Sequence, residues 1–198
     1  MKRFRRSFLE FALVFVAANL GPAAYASTFG RVDLAYLVAE NESVVVGEAV
    51  EARSYWNADR SFILTDVRLT VSETLKGAPT REITVTVPGG KVGDLTSVIV
   101  GGAELIPGNW YVLFLEKGDL LGTRGVRYVR DHGQGVFDVR IARGGLRAVS
   151  QAQGDMLLPD EWGNSEPVGG AEGLPFTTLM ESVRELAARE RDNRPEVK

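Results

Sequence analysis

The chain has no cysteine and a single histidine, His132, among its 198 residues. The first absence removes disulfide staples, thiolate metal ligands and thiol nucleophiles. The second removes every site that needs two imidazoles, including the H-E-x-x-H metalloprotease helix and histidine-rich zinc cages. There is no G-x-S-x-G elbow, and Gly90-Lys91-Val92-Gly93 lacks the G-K-[ST] end of a phosphate-binding loop, so its glycines read as turn formers. No cofactor or metal is expected from the residues that remain. Past the first 26 residues no stretch is apolar enough to cross a bilayer as a helix, so a permanent membrane anchor is not expected either.

The first 26 residues have the three-part layout of a secretory signal: Lys2, Arg3, Arg5 and Arg6, an apolar run from Phe11 to Leu20, then Gly21-Pro22 and the small-residue site Ala24-Tyr25-Ala26. The apolar run is shorter than the roughly 20 residues a spanning helix needs. Removal after Ala26 is therefore expected, with Ser27 as the new N-terminus and the mature chain periplasmic or secreted. Arg5-Arg6-Ser7-Phe8-Leu9 resembles a twin-arginine signal. Phe4 and Glu10 depart from that pattern, so ordinary Sec-type secretion is the preferred reading. Four of the 23 basic and one of the 26 acidic side chains fall in the leader, which leaves 19 against 25. An acidic mature chain is a poor match for phosphate backbones, and nucleic acid is not expected as a partner. A chain of this size buries roughly 70% of its unfolded surface, enough for a core without staples.

In the remainder, alternation of apolar and polar residues predicts strands. One covers Ser43 to Ala52, and a longer one contains Ile63, Thr65, Val67, Leu69 and Val71. Ile83, Val85 and Val87 mark a third, after the turn Lys76-Gly77-Ala78-Pro79. Trp110 to Leu115 is apolar on both faces and suits a central strand. Two further strands are expected on either side of Asp131-His132-Gly133, with Val126 and Tyr128 in one and Phe137, Val139 and Ile141 in the other. Leu34, Leu37 and Val38 predict a short helix after Asp33. Residues 150–174 read as an irregular surface loop. Residues 175–192 read as an amphipathic helix with Phe176, Leu179, Met180, Val183, Leu186 and Ala187 on its apolar stripe. One core is expected to unite Val67, Leu69, Val71, Val85, Val87, Phe114, Phe137 and Val139, with Leu179 and Val183 docking on its edge.

The order VVVGEAV, TDVRLTVSETLKG, ITVTVPGG and PGNWYVLFLE, within Ser43 to Ile141, resembles a group of uncharacterised exported bacterial proteins. More distantly it is similar to the netrin-like domain of the tissue inhibitors of metalloproteinases. The resemblance implies a small OB-like β-barrel spanning 27–149, flanked by the two helices. Those inhibitors are stapled by disulfides and chelate zinc through an N-terminal cysteine, neither of which this chain can supply.

Three functional readings remain open. The leading one is a non-enzymatic exported domain that binds a protein or an anionic extracellular polymer. Its candidate contacts are Tyr55, Trp56 and Arg60 in the loop between the first two strands, a ligand-binding position in OB-type barrels. Arg127 and Arg130, from a run that also holds Arg124, Arg140, Arg143 and Arg147, extend the set as a positive strip. The second reading is a hydrolase using carboxylates such as Asp66 and Glu73, or a serine such as Ser97 with His132. The third is a structural envelope component.

Overall fold

The computed structural model describes residues 29–152, 157–158 and 163–193; the expected leader and cleavage site lie outside them. The chain is mainly β, with 49% of the described residues in strands and 18% helical. In chain order the elements are β1 (Phe29–Gly30), α1 (Leu34–Glu40), β2 (Ser43–Trp56), β3 (Ile63–Lys76), β4 (Glu82–Pro88), β5 (Gly90–Val92) and β6 (Leu95–Ser97). They continue with β7 (Trp110–Leu120), β8 (Thr123–Tyr128), a 3-10 turn (His132–Gly135), β9 (Val136–Ala142), β10 (Gly145–Ser150), β11 (Leu157–Leu158), β12 (Leu174–Pro175) and α2 (Phe176–Asn193).

The main sheet runs β12-β10-β9-β7-β2-β3-β4, with β8 hairpinned onto β7. Its pairings are antiparallel. Three register shifts between β2 and β3, at Val44/Val45, Val46/Gly47 and Ala49/Glu51, bend the long β2–β3 ribbon. Bulges add residues to one strand only and so increase local twist and curl. The curl brings β4 to within 8 Å of β8 between Cα atoms. No ladder joins these two strands, so the sheet stops short of the closed barrel that the resemblance implied.

The expected single core is two cores, one on each face of the sheet. Val67, Leu69, Val71, Val85 and Val87 line the concave face together with Val45, Tyr111, Leu113 and Leu115. Phe114 and Phe137 belong to the opposite face, with Val44, Val46, Val112 and Ala148, beneath Leu37 and Val38 of α1 and Leu179, Met180, Val183 and Ala187 of α2. Strand periodicity explains the division, because successive side chains of β7 point to opposite faces and both faces are covered. Helix α2 therefore covers a sheet face and does not sit at an edge. Asp33 caps α1 by accepting the Tyr36 N–H at 2.7 Å. Pro175 lies in β12, opposite Arg147, and the last helix begins one residue later.

Candidate functional site

The β2–β3 loop is built around Asn57. This residue is only 3% exposed, and its Oδ1 accepts the N–H groups of Ser61 at 2.9 Å and Phe62 at 3.0 Å. Its Nδ2 donates to the Leu121 carbonyl at 2.7 Å. A buried amide with donors and acceptors engaged fixes loop geometry more firmly than apolar contact does. Asp59 closes the turn by accepting the Ser61 hydroxyl at 2.6 Å, and the Ser61 hydrogen bonds hold its carboxyl below the usual carboxylate range. The loop thus lies against the tip of the β7–β8 hairpin. There Leu121 and Gly122 have φ of 44° and 81°, the two positive values of a tight type I′ hairpin turn.

On this scaffold the candidate contact residues have different surroundings. Tyr55 is half-buried, and its hydroxyl donates to Asp66 Oδ1 at 3.0 Å. Burial first, and the Asp66 carboxylate second, push its phenol pKa up. Its polar end is therefore tied to the sheet. Trp56 is half-buried, the last residue of β2, opposite Ile63. Arg60 is exposed and takes a left-handed backbone, φ 58°, which is uncommon for a residue with a side chain. Beside it Phe62 is 45% exposed.

Arg127 and Arg130 do not join these residues in one cluster. Arg127 is exposed opposite Lys117, partway along the β7–β8 hairpin. Arg130 lies past the hairpin's base, where it pairs with Glu40 at 3.2 Å and Glu116 at 3.6 Å. The run of arginines divides further, because β8 pairs with the far end of β7 and β9 with its beginning. Arg124 and Arg127 consequently sit toward one end of β7, and Arg140, Arg143 and Arg147 toward the other.

The residues considered for hydrolysis are placed as follows. The His132 ring packs on Phe29, with centroids 4.4 Å apart, in a small cleft bordered by Gly101, Gln134 and Leu157. Among the described residues no hydrogen bond joins it to a serine or carboxylate. The neighbouring Asp131 is half-buried; burial raises its pKa, and an Asn41 amide at 3.5 Å opposes this. Asp66 accepts hydrogen bonds from Tyr55 and from Thr86, the latter at 2.7 Å. Glu73 pairs with Arg184 of α2 at 2.7 Å. Ser97 ends β6, opposite Gly90. No group of three or more His, Asp or Glu side chains suited to a metal ion occurs among the described residues.

Two features escaped the sequence reading. Gln134 is a buried polar side chain that accepts the Val32 N–H and donates to the Gly30 carbonyl, each at 2.9 Å, binding the N-terminal strand to the 3-10 turn. A glutamine between glycines carries no periodic signal. The other is an apolar surface formed by Trp110, Ile141 and Leu146: alternation assigns Trp110 and Ile141 to strands, but neither the strand that holds Leu146 nor the end of the helical cover is visible from it. No family model matches the chain, and no curated protein matches it.

Proposed function

We propose that this chain is an exported, non-enzymatic binding domain that engages another protein or an extracellular polymer through the β2–β3 loop. The observation that carries the reading is the pairing of a locked loop with exposed contact groups. Asn57 and Asp59 fix the backbone, while Phe62 and Arg60 face outward next to Trp56. A preordered loop loses little conformational entropy on binding, so more of the contact energy appears as affinity. Arginine and aromatic side chains are also the residue types that dominate measured interface energies. Arg127, exposed partway along the hairpin whose tip the loop rests on, would extend the contact toward an anionic partner. Arg130, already paired with Glu40 and Glu116, has a structural part.

Affinity capture from the periplasmic or secreted fraction, with the chain as bait, tests the reading. Phe62→Ala and Arg60→Gly should each weaken the captured interaction by roughly tenfold or more, while His132→Ala leaves it unchanged. Loss confined to His132→Ala would transfer the function to the cleft at Phe29.

A further inference from the structure

A second surface lies at the opposite end of β7 from the loop just described. On the helix-covered face of the sheet, Phe137 and Ala148 are buried, and Val139 is partly covered. The same face then runs out from under α1 and α2. Ile141, directly opposite Leu146 in the β9–β10 hairpin, is 90% exposed and Leu146 is 49% exposed. Trp110, opposite Val139 on β7, is 41% exposed. These three side chains continue an apolar face with nothing above it among the described residues.

The hairpin that carries Ile141 and Leu146 is also basic. Residues 139–154 contain Arg140, Arg143 and Arg147 and no carboxylate, in a chain whose formal charge is −3. Arg140 is paired with Asp138. Arg147, opposite Arg140 and so on the other face of the hairpin from Leu146, donates to the backbone carbonyls of Glu172 and Gly173. Arg143 is exposed at the turn.

Three part-exposed apolar side chains on a projecting hairpin fall well short of the roughly 800 Å² per partner of a stable protein interface. They suit a bilayer interface better, where a few apolar groups and a few cations together give reversible attachment and tryptophan sits at the headgroup level. We propose that the β9–β10 hairpin docks on an anionic phospholipid surface. Ile141 and Leu146 enter the acyl boundary, Trp110 lies at the headgroups, and Arg143, exposed at the turn, meets lipid phosphates.

The absence of cysteine makes a site-specific test straightforward. In the full chain, Ala142→Cys labelled with an environment-sensitive nitrobenzoxadiazole dye is titrated with vesicles of phosphatidylcholine, with and without phosphatidylglycerol. Emission at this position should rise and shift to the blue only with the anionic vesicles, and less so as salt is added. The same dye at Asp94→Cys, on the β5–β6 turn, should not respond. Any attachment through the N-terminal apolar segment is common to both labelled proteins and leaves the dye at position 142 in water. Ile141→Ser combined with Leu146→Ser, and separately Arg143→Glu, should lower the anionic-vesicle response by roughly tenfold at an unchanged thermal midpoint. The proposal is overturned by a silent dye at position 142, by an equal response at position 94, or by undiminished responses in both variants. A response at position 142 to soluble envelope proteins but not to vesicles would assign the hairpin to a protein partner and equally overturn it.

Discussion

Asn57 and Leu121, 64 residues apart in sequence, are joined by a 2.7 Å hydrogen bond from the asparagine amide to the leucine carbonyl. The bond links the loop after β2 to the tip of the β7–β8 hairpin. Because β7 pairs with the beginning of β2, this contact spans the concave side of the sheet from one end of β2 to the other. It is part of what holds the curl without a β4–β8 ladder.

Asn57→Ala should therefore destabilise the fold by about 1–3 kcal/mol, the cost of leaving buried or constrained polar groups without partners. Urea unfolding measures this directly. The variant should also lose binding at the β2–β3 loop, since Phe62 and Arg60 would no longer be held in place. An unchanged midpoint would show that water replaces the amide without loss.

Phe114 is fully buried between the sheet and the two helices, its ring 5.8 Å from that of Phe137. Phe114→Ala should cost about 3–5 kcal/mol, a large part of an ordinary domain's stability. Thermal unfolding should show a large drop in midpoint or no cooperative transition. Val85→Ala, on the concave face, should destabilise without affecting the packing of α2. Tryptic cleavage within α2 under native conditions separates the two outcomes.

Much of this architecture is legible in the sequence because alternation is a direct consequence of strand geometry. The runs Ile63–Val71, Ile83–Val87 and Trp110–Leu115 fall in strands, and the stripe through Leu179 and Val183 is helical and buried. Alternation does not say what covers each face, so Phe114 and Val67 read as one core although the sheet separates them. Gly145–Ser150 was missed as a strand because Gly144-Gly145 and Arg147 interrupt its pattern. The candidate loop was found from its aromatics. Its organiser, Asn57, was not recognised as such, because a polar residue's burial depends on Leu121, which only the curled sheet brings near. The arginine run looked continuous for the opposite reason: nearness in sequence concealed that β8 and β9 pair with different ends of β7.

The Asp131 carboxyl is half-buried, and burial lifts its pKa above the ordinary 3.8. The folded chain then keeps this proton to higher pH than the unfolded chain does. The resulting stability is fully present below 3.8 and is lost as pH rises through the raised folded value. Asp131→Asn removes the titration. Its stability relative to wild type should rise with pH across that window and then level off. Urea unfolding at closely spaced pH values from about 3 to 7 reads the difference; a difference independent of pH would assign no such linkage to Asp131.

The last prediction concerns the bend in β2. A Cβ added at Gly47 would lie 2.6 Å from the Thr70 carbonyl oxygen and 3.3 Å from the Val71 Cα. Both are backbone atoms of β3, held by the ladder on either side of the Val46/Gly47 register shift, and they have no rotamer by which to move away. Gly47→Ala should therefore force the two strands apart where the sheet curls, at a cost of about 1–3 kcal/mol, the range for overpacking a tight site. Gly125→Ala supplies the contrast. Gly125 has φ 65° with nothing within 4 Å of its added Cβ, so it carries only the left-handed backbone cost of about 1–2 kcal/mol. The two variants should differ in where the damage appears. Hydrogen exchange in Gly47→Ala should accelerate in β2 and β3, and through them in the contact between Asn57 and Leu121. In Gly125→Ala the acceleration should stay within the β7–β8 hairpin. Equal protection of β2 and β3 in both variants would mean that the bulge at Gly47 yields to a methyl group, and that close backbone approach is not what sets the curvature there.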